Sequence, residues 1–160
     1  MTEPAMTRGD IWKQIGNESI CMMCTTEDSL IRSRPMAPVV REKEGRIWFT
    51  TARSSGKARD LADEGPVTLT FQNSASNWYI TVMGTGTMVD DRAKIHDLWN
   101  PVLKQWFDGP DDPNLILIAF EPVEADYWNG PNKLVAGLKM LVAATTGMRS
   151  DMGEAGKVAM

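Results

Sequence analysis

The chain has 160 residues, of which 42% are apolar and 24% charged, and its formal net charge is −4. This length and composition are typical of one soluble globular domain and exclude a disordered chain. Lysines and arginines are scattered among the acids, so no basic stripe for nucleic acid is present. The N-terminus has no apolar secretion signal, and apolar runs such as LILIAF at 115–120 are far too short to span a bilayer. We therefore expect a cytoplasmic protein whose partners are neither nucleic acid nor membrane.

The first third of the chain predicts a short helix followed by three strands. The helix covers 7–16, because the apolar side chains at helical spacing share one face: Ile11, Trp12 and Ile15. The strand candidates, separated by polar turns, are 19–26, 30–40 and 46–51. Two prolines interrupt the second of these strands, which suits an edge strand or a bulge.

The middle of the chain predicts a further helix, two strands and a divided helical segment. Residues 57–64 predict a helix ending at Gly65-Pro66, and strands follow at 67–71 and 78–89. In the helical segment after Asp90-Asp91, six apolar side chains share one face: Ile95, Leu98, Trp99, Val102, Leu103 and Trp106. Asn100 as N-cap with Pro101 at the first helical position divides this segment into two short helices.

The last third predicts two more strands and a helix. A buried strand at 115–120 leads into a polar edge strand at 121–129, a helix at 133–147 and an irregular tail at 148–160. Six or seven strands with hairpin-like spacing predict a mainly β (α+β) domain, a small antiparallel barrel with short peripheral helices. We expect residues 1–160 to form this one domain.

Two cysteines, one histidine and two acidic pairs give no strong chemical signal. Cys21 and Cys24 lie in a strand candidate, where residues i and i+3 point to opposite faces about 10 Å apart, too far for a disulfide. A zinc site needs more ligands than these thiols and His96 supply. We therefore expect structural thiols, a solvated histidine and no metal. Helix capping explains the acidic pairs at 90–91 and 111–112 better than metal binding does.

The segment TTARSSGKARDL, residues 50–61, is consistent with an anion site or an ordinary polar loop. If a helix begins near Gly56, its first amides are unpaired and favour an anion. Ser54 and Ser55 add hydroxyl donors and Lys57 adds a positive charge, a set suited to a phosphate. On pattern alone the capped polar loop is favoured, and the anion site is the alternative.

Several segments follow one another in a distinctive order around this loop. RSRPMAP precedes IWFTT, which precedes SSGK, and the order continues with MGTGTMVDDR, LWNP, WFDGPDDP and a YW pair after an acidic edge strand. This order resembles the FMN-binding split-barrel flavoproteins related to pyridoxamine 5'-phosphate oxidase. The general stress protein-like branch of that family is the most similar, including the tail TTGMRSDMGEAGKVAM. The resemblance makes the anion site the favoured interpretation of the serine loop.

The resemblance implies a split β-barrel, usually a homodimer, with FMN bound in clefts between the subunits. Ser55 and Lys57, with Ser54 beside them, match the phosphate-binding block. Arg34 matches a further contact with the phosphate or the ring edge. The residues that match contacts with the flavin ring or ribityl chain are Met36, Phe49, Thr50 and Thr51.

Aromatic side chains supply candidates for covering the flavin ring. Trp78 or Tyr79 matches the place where the partner subunit approaches the flavin. For Trp106 and for Trp128, packing in the core and a position in the cofactor cleft are equally consistent with the sequence. A flavin needs an anion site at one end and flat apolar cover with hydrogen-bonding edges at the other, and these residues supply both.

The chain departs from the vitamin-synthesising oxidase itself. The arginine-rich substrate block that ends that enzyme is not found, and SSGK replaces a tighter Ser-Arg-Lys in the phosphate loop. Pyridoxamine phosphate oxidation is therefore not expected, and no side chain is nominated as a catalytic acid or base. The resemblance implies an FMN-dependent oxidoreductase acting on an unknown small molecule. The alternatives are a non-catalytic flavin-binding stress or sensor protein, and the same fold holding a deazaflavin or haem.

Overall fold

Eight antiparallel strands form one sheet in the computed structural model, which describes residues 5–55, 64–131, 133–147 and 153–160. The strands are β1 Cys21–Glu27, β2 Leu30–Met36, β3 Val39–Arg41, β4 Arg46–Ala52, β5 Glu64–Asn73, β6 Trp78–Val89, β7 Leu115–Asn129 and β8 Glu154–Ala159. Their order across the sheet is β2-β1-β5-β6-β7-β4-β3, and β8 pairs with β7. The predicted mainly β, antiparallel split-barrel architecture is confirmed.

Short helices decorate this sheet. They are α1 Arg8–Gly16, α2 Arg92–Leu98, α3 Lys133–Thr146 and the 3-10 helices Glu42–Glu44 and Pro101–Gln105. A capping box starts α1, in which the Thr7 hydroxyl accepts from the Asp10 amide and the Asp10 carboxylate accepts from the Thr7 amide. Asn100 caps the second 3-10 helix, with Pro101 at its first position, as predicted. Among the described residues, no helix combines the length and apolar content that a membrane crossing requires.

Two groups of buried side chains form the core. The larger one fills the barrel with inward-facing residues of the strands, among them Phe49, Phe71 and Phe120, and Trp12 of α1 packs against them. The smaller one lies between α2 and the other face of β4 and β7, around Trp48. Because both faces of β7 are covered at 115–120, this half of the strand is continuously apolar.

The split of the barrel lies between β2 and β3, the two end strands of the order. These strands are consecutive in the chain and are joined through Ala37 and Pro38. Val39 of β3 pairs with Trp48 of β4, and ladder pairing of this segment starts there, since Pro38 has no amide to donate. Because β3 pairs only with Arg46–Trp48, no described strand pairs with the β3 side of the second half of β4.

Two features of β7 stabilise the closed side of the barrel. A register shift at Met83/Gly84 of β6 brings the Gly84 backbone against β7, so close that an added Cβ would lie 2.1 Å from the Glu121 carbonyl oxygen. Two strands pair with successive halves of the opposite edge of β7: β4 pairs with Leu115–Phe120 and β8 pairs with Glu124–Asn129. Both edges of this long strand are therefore largely occupied.

Parts of the sequence-based prediction differ from the structure. Residues 154–159, predicted to be irregular, form β8, the segment 30–40 divides into β2 and β3, and the strands predicted at 115–120 and 121–129 form the single strand β7. Gly65-Pro66, predicted to end a helix, lies inside β5, which begins at Glu64, whereas residues 57–63 lie outside the described part of the chain. The predicted apolar face of 90–106 is only half buried. Ile95 and Leu98 are buried, but Val102 and Trp106 are exposed, because the break at Asn100-Pro101 changes the direction of the chain.

Candidate functional site

The serine loop follows β4 directly and is attached to the segment that precedes β7. The Ser55 amide donates to the Ala52 carbonyl (2.9 Å), which makes a tight turn. The Arg53 amide donates to the Asn114 carbonyl (2.7 Å), and the Ser54 amide donates to the Asn114 side-chain oxygen (3.3 Å). The described part of the loop is therefore held through the backbone amides of Arg53, Ser54 and Ser55.

An arginine–aspartate–arginine cluster reinforces this attachment. The two carboxylate oxygens of Asp90 accept from different partners, Arg53 on one and Arg92 on the other. The hydrogen bond from Arg53, followed by that from Arg92, holds the pKa of the Asp90 carboxyl below its ordinary value. Asp90 links the serine loop to the start of α2.

Arg92 extends the cluster to the segment before β7. Its guanidinium donates to the carbonyl oxygens of Asp112 (2.9 Å), Leu115 (2.8 Å) and Pro110 (3.3 Å). A planar guanidinium can bind several carbonyls at once, which an ammonium group cannot do with the same geometry. Asn114, the partner of the serine loop, lies between these anchored carbonyls.

Two buried threonines each hold one of the predicted ligand-binding side chains. Thr51 and Thr25, 4% and 3% exposed, are the buried polar residues within the described part of the chain. The Thr51 and Ser55 hydroxyls are 3.0 Å apart and hydrogen-bonded. Arg34 Nη1 donates to Thr25 Oγ1 at 2.7 Å. The predicted phosphate contacts on β2 and after β4 are thus both oriented from inside the barrel.

The structure divides the remaining predicted contacts between core and surface. Met36 and Phe49 are buried in the larger core, so only their backbone groups can reach a ligand. Thr50 is partly exposed near the end of β4. Lys57 lies outside the described residues, and its role stays a prediction.

Among the aromatic candidates, Tyr79 and Trp128 form one pair. They are opposite each other on β6 and β7, with ring centroids 5.6 Å apart, and both rings are more than a third exposed. Trp78 points the other way and is buried in the core, so Tyr79 is the outward residue of the two that were predicted. Trp106 is 66% exposed beside the second 3-10 helix, so it takes no part in core packing.

An open cleft of about 420 Å³ lies beside Tyr79 on the outer face of β1, β5 and β6. Its lining mixes apolar, hydroxyl and amide groups, including Ile20, Met22, Thr70, Gln72, Tyr79 and Thr81. A cleft of this size falls in the range of small-ligand sites.

Several of these contacts were not predicted from the sequence. Thr25, Asp90 and Arg92 act through partners that are distant in sequence, so no local motif marks them. The only local signal was the Asp-Arg pair at 91–92, which matched the family pattern without revealing its contacts.

Cys21 and His96 are placed as predicted, whereas Cys24 is less buried than the buried structural thiol that was predicted. Cys21 is buried, and burial raises the pKa of its thiol to about 12, whereas Cys24 is partly exposed on the opposite face of β1, and both are free thiols. His96 is exposed and lies 2.8 Å from an Asp111 oxygen. Across the described ranges, no three His, Cys, Asp or Glu side chains come together as a metal site would require.

The described strands form an antiparallel split barrel, with the serine loop directly after β4 and Arg34 on the end strand β2. The family model described as pyridoxamine 5'-phosphate oxidase like matches residues 7–151 of the chain. The chain therefore belongs to the pyridoxamine 5'-phosphate oxidase-like family, and the resemblance seen in the sequence is confirmed.

Two curated relatives carry related names. Protein bli-3 of Neurospora crassa is 35% identical over 118 residues, which cover 66% of this chain and 56% of that protein. General stress protein 26 of Bacillus subtilis is 26% identical over 98 residues, 59% of this chain and 69% of the relative. The chain therefore spans little more than half the length of the first relative.

Solved structures show the same fold. A crystal structure described as general stress protein 26 from Jannaschia sp. CCS1 has a TM-score of 0.75 and 26% identity, and the match covers 93% of this chain and 95% of the other. The general stress FMN/FAD binding protein of Xanthomonas citri has a TM-score of 0.65 and 26% identity, covering 74% and 85% of the two chains. The general stress protein-like branch is thus represented among both sequences and structures.

Proposed function

We propose that this protein binds FMN and acts as a flavin-dependent oxidoreductase on a small molecule. The observation that carries the proposal is the pair of buried threonines that bond two predicted phosphate contacts, Thr25 with Arg34 and Thr51 with Ser55. A cation and a hydroxyl are groups that suit a phosphate. The Xanthomonas citri relative, described as an FMN/FAD binding protein, supports a flavin as the molecule that carries this phosphate.

The chain offers a distinct group for each part of FMN. Ser54, Ser55, Lys57 and Arg34 would hold the phosphate, with the loop amides already engaged by Asn114 and Ala52. The partly exposed Thr50 and the backbone of Met36 and Phe49 would border the ribityl chain and the ring. Tyr79 and Trp128 offer flat aromatic cover from a second copy of the chain.

The redox chemistry would come from the cofactor and its position from the protein. A bound flavin accepts or donates a hydride, and the surrounding chain orients it, tunes it and limits access of water. No side chain is assigned as a catalytic acid or base. Pyridoxamine phosphate oxidation is not part of this proposal.

A non-catalytic flavin-binding stress protein is the second candidate function. The observation that favours it is the name general stress protein 26, shared by the Bacillus subtilis relative and the Jannaschia structure. A haem-binding function is less well supported, because His96 is exposed and already paired with Asp111. A deazaflavin would share the phosphate site and is distinguished only by identifying the bound molecule.

The visible spectrum of the purified protein tests the cofactor. We expect a flavin spectrum, and release of FMN rather than FAD when the protein is denatured. A Soret band, or a colourless protein that ignores added FMN and FAD, would contradict the proposal. Anaerobic mixing with NADH or NADPH then separates the two functions, since bleaching of the flavin supports a reductase and its absence with both donors supports the non-catalytic protein.

We propose that the protein is a homodimer. On a single chain, α3 presents large apolar side chains to solvent, and Leu134, Leu138 and Leu141 are each more than 60% exposed. An apolar patch of this kind marks an interaction surface. Light scattering is expected to give twice the chain mass of 17.8 kDa. A flavin-loaded monomer would contradict both the dimer and the placement of Tyr79 over a partner's flavin.

A further inference from the structure

We propose that Arg92 is a positioning residue for the ligand phosphate, whose guanidinium fixes the serine loop in place without contacting the ligand itself. The inference rests on the proposed function, in which the serine loop holds the phosphate. It gives a role to two stretches that carried the family resemblance. Arg92, the first residue of α2, ends the stretch MGTGTMVDDR, and the segment 110–115 before β7 overlaps the stretch WFDGPDDP.

The guanidinium of Arg92 is fully engaged by other groups of the described chain. A guanidinium has five N–H donors, and Arg92 makes five hydrogen bonds. Two of them go to one Asp90 oxygen, from Nε at 3.0 Å and from Nη2 at 2.8 Å. The other three go to the carbonyl oxygens of Leu115 (2.8 Å), Asp112 (2.9 Å) and Pro110 (3.3 Å). Arg92 can therefore act on a phosphate only through the groups that it holds.

One connection runs from Arg92 through Asp90 to the serine loop. The second oxygen of Asp90 accepts from Nη2 of Arg53, the residue directly before Ser54. Because each oxygen of the carboxylate is bound by a different guanidinium, Asp90 joins the two arginines in one geometry. Nε of Arg53 also donates to the Pro113 carbonyl at 3.3 Å. The Arg53 side chain is thereby held between the start of α2 and the segment that precedes β7.

The other connection runs through the segment 110–115 to the backbone of the loop. Asn114 accepts from the amides of two loop residues, from Arg53 at 2.7 Å and from Ser54 at 3.3 Å. Its own amide donates to the Asp112 carboxylate at 2.8 Å, and two prolines of the segment have a fixed φ. The three carbonyls that the guanidinium binds therefore belong to the short segment that holds the loop backbone.

Arginine is the side chain that this geometry requires. A lysine ammonium has three donors and no planar fork, so it could keep the attraction to Asp90 but not all of the carbonyl bonds. Without those bonds the loop would have to be ordered when the ligand binds, which lowers the affinity. Because Ser54 and Ser55 belong to this loop, the loss is expected to fall on recognition of the phosphate.

Titrations of FMN and riboflavin test the inference, because the two flavins differ only in the phosphate. Arg92→Lys is expected to weaken FMN binding about tenfold and to leave riboflavin binding unchanged. Arg46→Lys is the matched control, since Arg46 also donates twice to one carboxylate oxygen, that of Glu121, but lies at the opposite end of β4 from the serine loop. The control is expected to leave both affinities unchanged.

A second background separates positioning from direct contact with the phosphate. In the triple variant Ser54→Ala, Ser55→Ala, Lys57→Ala, the further change Arg92→Lys is expected to alter the ratio of FMN to riboflavin affinity less than about threefold. The reason is that the groups that Arg92 positions are gone. A larger loss in this background would show that Arg92 acts on the phosphate independently of the loop, and would overturn the inference.

Three other results would also overturn it. Unchanged FMN affinity in Arg92→Lys, with wild-type protein binding FMN, would remove the role of Arg92 alone. An equal loss of FMN and riboflavin affinity would show a general structural effect instead of phosphate positioning. Failure of the wild-type protein to bind any flavin would overturn the proposed function and this inference together. If Arg92→Lys does not fold, Asp90→Asn removes the charge that joins the two arginines and is scored by the same ratio of affinities.

Discussion

Replacing Gly84 with alanine is expected to lower the free energy of unfolding by about 3 kcal/mol. The new Cβ would lie 2.1 Å from the Glu121 carbonyl oxygen and 2.8 Å from the Phe120 ring. Phe120 is fully buried and pairs through its backbone with Ile47 of β4, so β7 cannot move away without disturbing the strand behind it. The clash must therefore be relieved by loss of pairing at the bulge.

Urea denaturation of Gly84→Ala measures this loss. Gly109→Ala is the matched control, because no atom lies within 4 Å of the Cβ that it would add. The control is expected to change the free energy of unfolding by less than about 0.5 kcal/mol. Equal urea midpoints of unfolding for the two variants would show that the backbones of β6 and β7 do not approach each other this closely at Gly84.

Lys57→Ala is expected to weaken FMN binding by about tenfold to a hundredfold, the range for a charge-assisted hydrogen bond to a phosphate. The expectation comes from the sequence match and from the adjoining loop, where Ser54 and Ser55 are held by backbone bonds. Riboflavin has no phosphate, so its affinity is expected to stay the same. The loss should shrink as salt is added, because screening weakens the charge in the wild-type protein.

Fluorescence titration with both flavins at two salt concentrations measures the effect of Lys57. Lys43→Ala is the control for removing a positive charge, since Lys43 is exposed in the 3-10 helix Glu42–Glu44. The control is expected to leave both affinities unchanged. An equal response of FMN and riboflavin to Lys57→Ala, or no response at all, would remove Lys57 from the phosphate site.

Local patterns predicted most of the barrel. Val67, Leu69 and Phe71 alternate with polar residues, and all three are buried in β5, because a half-covered strand repeats every two residues. β8 was not predicted, because the residue that explains its central glycine lies on the partner strand β7. Gly156 leaves room for the Tyr127 ring, which would be 2.8 Å from an added Cβ, and in the sequence alone this glycine suggests an irregular tail.

The candidate site was predictable only where it is contiguous in sequence. Ser54 and Ser55 stand out because hydroxyl residues follow a strand directly. The bonds of Arg34 to Thr25 and of Asp90 to Arg53 depend on hairpin register and on two loops that are distant in sequence. A one-residue change of register would turn Thr25 to the other face, so a single sequence without tertiary information does not determine these contacts.

The edge shared by β4 and β8 has a consequence for how the protein avoids aggregation. Without β8, the backbone of Glu124–Asn129 would be an open edge to which strands of other chains could add. β8 occupies that edge and places Lys157 3.2 Å from Glu124 and 3.3 Å from Asp126, so that the outermost face is charged. Among the described strands β8 pairs only with β7, so the open edge moves from a long strand to a short one that carries a lysine, which is a weaker template for edge-to-edge association between molecules.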